Sequence, residues 1–427
     1  RTPIRRAFSG SISRMFSLLS LAPFSHGHPF GEPCNLTDFP YIHLSWDPFA
    51  GDVGLYKVAG STSTDAKNIT KECHGVSPEV HLNYGQKYYF VQSDESNWYH
   101  PVGFAYEVGG AHNTCACPAD APDCPNIAVE GECPELGGEG VDGTMSTIQY
   151  ITKTVAETKD ESGFGLDAYE PFFFYPFGDW YEGCGGADAP CHVEFGVSDP
   201  SQFPEGKLRK YVYYFCHIHP GMSAKIVLEN LPNPDGAIVP YCADGSIPGC
   251  PEPTAPDPSD FDEKCGTWNT GPYAPGATQY PHCKGKKFLC SNEPNSEAPE
   301  NDFNECLEAI DCQMHQEMAV SAEGATMAAT FLRQMIPHHA NAVAMAKTLL
   351  KMDPGTVDTE FDGEKTLKGL LMDIINVQNF QIATMEGLLE AEEIKSSGGG
   401  MCYPTCPDHV SNRPFGRNML FSSMPEC

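Results

Sequence analysis

Apolar and polar residues alternate along Glu79–Leu82 and again along Lys87–Val91, with Asn83-Tyr84-Gly85 between them. A period of two, broken by an Asn/Gly turn, predicts two short strands. The same texture returns at Cys191–Val197, Leu208–Phe215 and Ala224–Leu228. From Asn301 the apolar period lengthens to that of a helix and holds to Lys395, before Gly398-Gly399-Gly400 ends it. Residues 110–190 follow neither period: Cys115, Cys117, Cys124, Cys133 and Cys184 lie amid Gly, Pro and Asp, with Cys191 directly after. This segment reads as a disulfide-stapled insertion rather than a core.

Two unlike periods in 427 residues predict a multidomain α+β chain. Residues 1–25, with Arg1, Arg5, Arg6 and Arg14 before the apolar run Met15–Phe24, read as the remnant of a secretory signal peptide. A β-rich domain is expected over 30–231, with the Cys-rich insertion at 109–190. Residues 232–300, holding Cys242, Cys250, Cys265, Cys283 and Cys290 among Pro and Gly, read as a linker tied by its own disulfides. A helical domain follows over 301–395, then a Cys-containing tail over 396–427. No stretch is long enough to span a bilayer as a helix.

Nineteen cysteines point to an oxidising compartment, so a secreted or cell-surface protein is expected. The sequons Asn35-Leu-Thr37 and Asn68-Ile-Thr70 suit a glycoprotein on that route. The formal charge of −31 argues against nucleic acid or an anionic membrane as partner. The hydrophobic content of 41% is enough for packed domains.

The chemistry concentrates in Tyr214-Phe215-Cys216-His217-Ile218-His219-Pro220-Gly221-Met222. A thiolate, two imidazoles and a weak thioether form a donor set that suits copper in both oxidation states. One loop between strands supplies Cys216, His219 and Met222, and His100, after the strand at Tyr88–Val91, is the candidate for the second imidazole. An odd cysteine count fits, because setting Cys216 aside leaves eighteen for disulfides. His217 is expected to point away from the metal. His43, His74, His81 and His112 read as ordinary surface or core residues. Phe215 stands before Cys216, and no array of His-x-His pairs is present, which is a poor fit to a multicopper oxidase.

The Cys-x2-His-x2-Met spacing resembles the amicyanin-like ligand loop of the cupredoxin family, over roughly residues 79–108 and 191–229. The resemblance implies a Greek-key β-sandwich with His100, Cys216, His219 and Met222 around one copper. The stretch between His100 and Cys216 is far longer than is usual in that family.

In the second half, Met327, Phe331, Met335, His338, Ala342, Met345 and Leu349 fall on one helical arc at ~100° per residue. His339 lies at its edge and Pro337 inside it. A preceding helix carries Met314, His315 and Met318, and a later one Leu371, Ile375, Gln378, Ile382, Met385 and Leu389. His338 is read as a polar group on an apolar seam, which needs a partner. Thioether with imidazole selects copper, Cu(I) above all.

Phe331, Met335-Ile336-Pro337-His338-His339, Ala342, Met345-Ala346, Gln378, Gln381-Ile382 and Met385 resemble the ferritin-like family catalogued as domain of unknown function 305, over about 311–392. Gln381 stands where that family usually has glutamate. The resemblance implies a short four-helix bundle with His315, Met318, Met335, His338, His339, Met345 and Met385 as candidate copper ligands. No Glu-x-x-His pattern offers a di-iron site, and no nucleophile or paired carboxylate points to substrate turnover. The chain is therefore expected to bind, buffer or pass on copper and to exchange an electron at a blue-copper site. A redox partner protein and self-association fit that role. The competing expectation is a disulfide-stapled adhesive glycoprotein with degenerate metal sites.

Overall fold

The computed structural model describes residues 31–105, 148–152, 166–184, 191–196, 210–233, 258–280, 283, 298–320, 325–357, 360–361 and 365–397. The histidines at 26, 28 and 112, the cysteines at 115, 117, 124, 133, 242, 250, 290, 402, 406 and 427, the leader and the tail lie outside them.

The first half forms two sheets. One holds β1 (Cys34–Asn35), β5 (Val80–Asn83), β11 (Ser223–Glu229), β10 (Tyr211–Cys216) and β7 (Val102–Ala105), in that order. The other holds β4 (Ile69–Glu72), β3 (Leu55–Ser61), β2 (Tyr41–Asp47), β6 (Tyr88–Val91), β9 (His192–Phe195) and β8 (Gln149–Ile151). The two strands flanking Asn83-Tyr84-Gly85 therefore do not pair with each other: β5 and β6 belong to different sheets. Val80 and Leu82 are fully buried, as are Tyr88 and Phe90, so each strand gains more by facing a common core than by forming a hairpin. The sheets meet through rings, Phe90 to Phe104 at 4.9 Å and Phe104 to Phe195 at 4.8 Å between centroids.

The segment expected to be a coreless insertion contributes to this core. Short helices α1 (Leu166–Tyr169) and α2 (Phe177–Gly183) flank a 3₁₀ turn at Glu170–Phe174. Tyr150, Tyr169, Phe173 and Trp180 are each at most 2% exposed and join the main apolar cluster. Aromatic side chains scattered among Gly and Pro leave no period to read, yet each buries a large apolar area. Cys184–Cys191 closes this segment and Cys34–Cys73 ties β1 to the loop after β4.

After α3 (Asp260–Cys265) come three long helices: α4 (Ala298–Glu317), α5 (Met327–Met352) and α7 (Leu367–Ser397). Between α5 and α7 lie the single turn α6 (Pro354–Val357) and a two-stranded pair, β12 (Glu360–Phe361) with β13 (Lys365–Thr366). The described residues thus hold three long helices. Thr326 caps α5 by accepting from the Ala329 N–H. The connecting segment is not tied to itself as expected: Cys265 pairs with Cys306 and Cys283 with Cys312, so its described disulfides fasten it to α4.

The helices also share the core of the sheets. Val343 and Ala346 of α5, with Leu371 and Ile375 of α7, belong to the same buried cluster as the strands. The Lys347 ammonium, fully buried, donates to the carbonyls of Gly51 and Asp52 at 3.0 and 2.7 Å. Among the described residues no helix is long and apolar enough to cross a membrane.

Candidate metal centre

Strand register delivers the donors. Cys216, the last residue of β10, stands opposite Val102, the first of β7, and the His217 N–H donates to the Pro101 carbonyl at 3.0 Å. His100, two residues before Val102, is thereby drawn beside Cys216. On the other side, Phe215 opposes Ser223 of β11, and the Cys216 N–H donates to the Met222 carbonyl at 3.0 Å. The loop 216–222 must then turn tightly, and Gly221 takes φ +84°, a conformation open to glycine. The turn brings the His219 N–H to Cys216 Sγ at 3.4 Å.

Three donor atoms converge. Cys216 Sγ lies 3.7 Å from His100 Nδ1 and 3.8 Å from His219 Nδ1. The three ligand atoms all fall within 4.8 Å of one another. A cation bound to nitrogen at ~2.05 Å and sulfur at ~2.3 Å, with angles of ~110–120°, separates the two atoms by about 3.6–3.8 Å. The donors fit a metal. His100, Cys216 and His219 have no exposure and Met222 has 1%.

The tautomers follow from the outer partners. His219 Nε2 donates to the backbone carbonyl of Asn376 at 3.0 Å, and a carbonyl can only accept. His100 Nε2 donates to Asn376 Oδ1 at 3.1 Å; the amide orientation is set because Asn376 Nδ2 donates to the Trp98 carbonyl at 3.2 Å. Both rings therefore carry a hydrogen on Nε2 and turn Nδ1 toward the sulfur. Burial, then the neighbouring His219, holds His100 well below the usual imidazole range, so it is neutral. Burial pushes the Cys216 thiol up to about 12, against the backbone N–H groups of His219 and Ile218 that pull it down. A bound cation would displace that thiol proton.

The walls of the centre were not legible in the sequence. Trp46 stacks on His100 with centroids 4.3 Å apart, and the Tyr56 hydroxyl and Gln92 Nε2 donate to the His100 carbonyl at 2.8 and 2.6 Å. Gln92 Oε1 accepts from the Val102 N–H at 2.9 Å, so one buried amide joins His100 to β7. Tyr99, just before His100, has φ +67°, a backbone state that costs a bulky residue ~1–3 kcal/mol. His217 faces Glu170 at 2.6 Å, away from the cluster as expected. His43 is buried against the Ser63 carbonyl, and His81 lies between Glu79 and Glu229.

The helical candidates are arranged otherwise. Met327 is 92% exposed, Phe331 59% and Met345 39%, and His338 is exposed as well. The reading of His338 as a polar group on a buried seam is thus overturned. The seam of α5 is Ala329, Leu332, Ile336, Val343 and Ala346, about 120° round the helix from the Met/His arc. Val343 and Ala346 of this seam join the buried cluster that holds the strands and Leu371 and Ile375 of α7. His338 and His339 have ring centroids 5.8 Å apart. His339 is half-buried, with Gln381 of α7 as a hydrogen-bond partner, and burial lowers its basicity. Met335 and Met385 are half-buried, Met318 lies just past the end of α4, and His315 is exposed on α4.

Among the described residues, the one group of three or more His, Cys, Asp or Glu side chains placed to hold a metal is His100, Cys216 and His219. No curated protein matches the chain, and no solved structure matches it. Residues 292–389 and 329–419 match the family described as "Domain of unknown function (DUF305)", so the helical third of the chain is similar to that family.

Proposed function

We propose that this chain is a secreted copper-binding protein. The copper would be held by His100 Nδ1, Cys216 Sγ and His219 Nδ1, with the Met222 thioether as a weak fourth ligand, in a Greek-key β-sandwich of the cupredoxin kind. The observation that carries the reading is the meeting of two imidazole Nδ1 atoms and a thiol kept out of any disulfide, with His100, Cys216 and His219 all without exposure. A thiolate with two imidazoles is a borderline-soft set suited to copper, and burial in rigid aromatic walls suits passage between Cu(I) and Cu(II) with little rearrangement. Copper at such a thiolate would supply one-electron chemistry; the chain's own residues hold the imidazoles in one tautomer and keep water out.

The role that follows is to bind, buffer or pass on copper, with electron exchange to a partner protein. Exposed Asn35 and Asn68 suit glycosylation, and the disulfides suit an oxidising compartment. The exposed His338 and Met345 and the half-buried Met335 and His339 of α5, with His315, Met318 and Met385 on or beside the neighbouring helices, would make a second and weaker Cu(I) surface on what would be a ferritin-like bundle. Copper quantification with a visible absorption spectrum tests the reading. Intense absorption lost in Cys216→Ser supports it; a chain that takes up no copper returns the protein to the role of a stapled surface scaffold.

A further inference from the structure

The metal centre is built by the sheets, but its outer face is covered by a helix from the other half of the chain. Asn376 of α7 has no exposure and meets both imidazoles: its side-chain oxygen accepts from His100 Nε2, its backbone carbonyl from His219 Nε2. Its amide then reaches back to the Trp98 carbonyl. The side chain of one helical residue therefore occupies the edge of the pocket that the strands leave open. Beside it, Leu371 and Ile375 bury into the common core, and Lys368 pairs with Glu95 at 2.6 Å in the loop that leads to His100.

Of the described disulfides, Cys34–Cys73 and Cys184–Cys191 lie within the sheet half, and Cys265–Cys306 and Cys283–Cys312 join the connecting segment to α4. None of these four crosses from the sheets to the helices. Among the described residues, α5 and α7 dock on the sheets by apolar contact and by hydrogen bonds such as those of Lys347 to Gly51 and Asp52. Docking of that kind opens and closes.

We infer that the helical unit is a lid on the metal centre, with Asn376 as its latch and as the positioning residue that fixes the His100 tautomer. Metal enters or leaves, and Cys216 meets solvent, when α7 lifts from the loops at His100 and Cys216–Met222. The inference rests on the copper reading for what passes the lid, but the lid itself is tested without metal. In the metal-free full chain, the rate of Cys216 alkylation by iodoacetamide, located by peptide mass spectrometry, reports opening. Asn376→Ala should raise that rate at least tenfold. Lys368→Glu, which sets two like charges against each other outside the pocket, should raise it severalfold with the fold intact by circular dichroism.

Long-range proton–nitrogen correlation of the imidazoles should find the Nε2–H form at His100 in the parent and a mixture of tautomers in Asn376→Ala, a change that a purely structural role would not produce. Copper uptake by the same two variants should quicken in step with alkylation. If both variants fold and alkylate no faster than the parent, or if the parent thiol reacts as fast as an exposed one, the lid is wrong whatever the copper result. If alkylation obeys the expectation and the parent binds no copper, the lid stands as a guard on Cys216 and the copper reading falls.

Discussion

Both halves of the chain carry histidine beside sulfur, yet they place them in opposite ways. In the sheets, His100, Cys216 and His219 come from positions up to 119 residues apart in the sequence and end with their donor atoms within 4.8 Å, all without exposure. In the helices, Met335, His338, His339 and Met345 sit within eleven residues, yet His338 and Met345 are exposed while Met335 and His339 are half-buried. Closeness in sequence on a helix does not by itself bring donor atoms together. A ligand set forms where backbone pairing leaves the donors no other place to go, as the β10–β7 and β10–β11 registers do for the 216–222 loop.

The largest effect that would break this contrast comes from the thiol. Cys216→Ser should abolish the copper–thiolate absorption and weaken copper binding by more than the roughly 10–100-fold that loss of an outer partner costs. If the absorption survives, the sulfur comes from elsewhere.

Packing offers the next test. Ile375→Ala removes a fully buried side chain from the joint core and should cost ~2–5 kcal/mol of unfolding free energy in denaturant titration. Phe331→Ala, on the exposed arc, should stay within ~0.5 kcal/mol of the parent. Equal costs would mean that the arc is covered in solution.

A smaller effect is expected at His338. Its alanine variant should leave stability within ~0.5 kcal/mol and the visible absorption unchanged, because the side chain is exposed and far in role from the thiol. Weaker Cu(I) uptake with the absorption intact would assign the arc to the second, weaker surface. A loss of ~1–3 kcal/mol would restore the buried-seam reading.

The strands, the Cys/His loop and the long helices were legible because each is a local pattern: alternation at Val80–Leu82, Cys-x2-His-x2-Met at 216–222, a 3.6 period in 327–349. What the pattern could not give is which arc of α5 turns inward. Met327, Phe331 and Met345 are more apolar than Ala329 and Ala346, but the smaller residues face the core. The pairing of Cys265 and Cys283 with α4 rather than within the connecting segment is likewise a matter of three-dimensional distance. The buried rings of the 166–184 segment carried no period to detect. Asn376 lies 276 residues from His100, inside an ordinary helical run Ile374-Ile375-Asn376-Val377, and only the docking of the two halves gives it a partner.

The central claim is that His100, Cys216 and His219 bind one copper through a thiolate bond. It is tested most directly by loading the full chain with Cu(II), removing excess, and measuring copper per chain together with the visible spectrum. One tightly held equivalent is expected, with intense visible absorption that disappears on reduction. A chain that retains no copper, or retains it without colour, would contradict it.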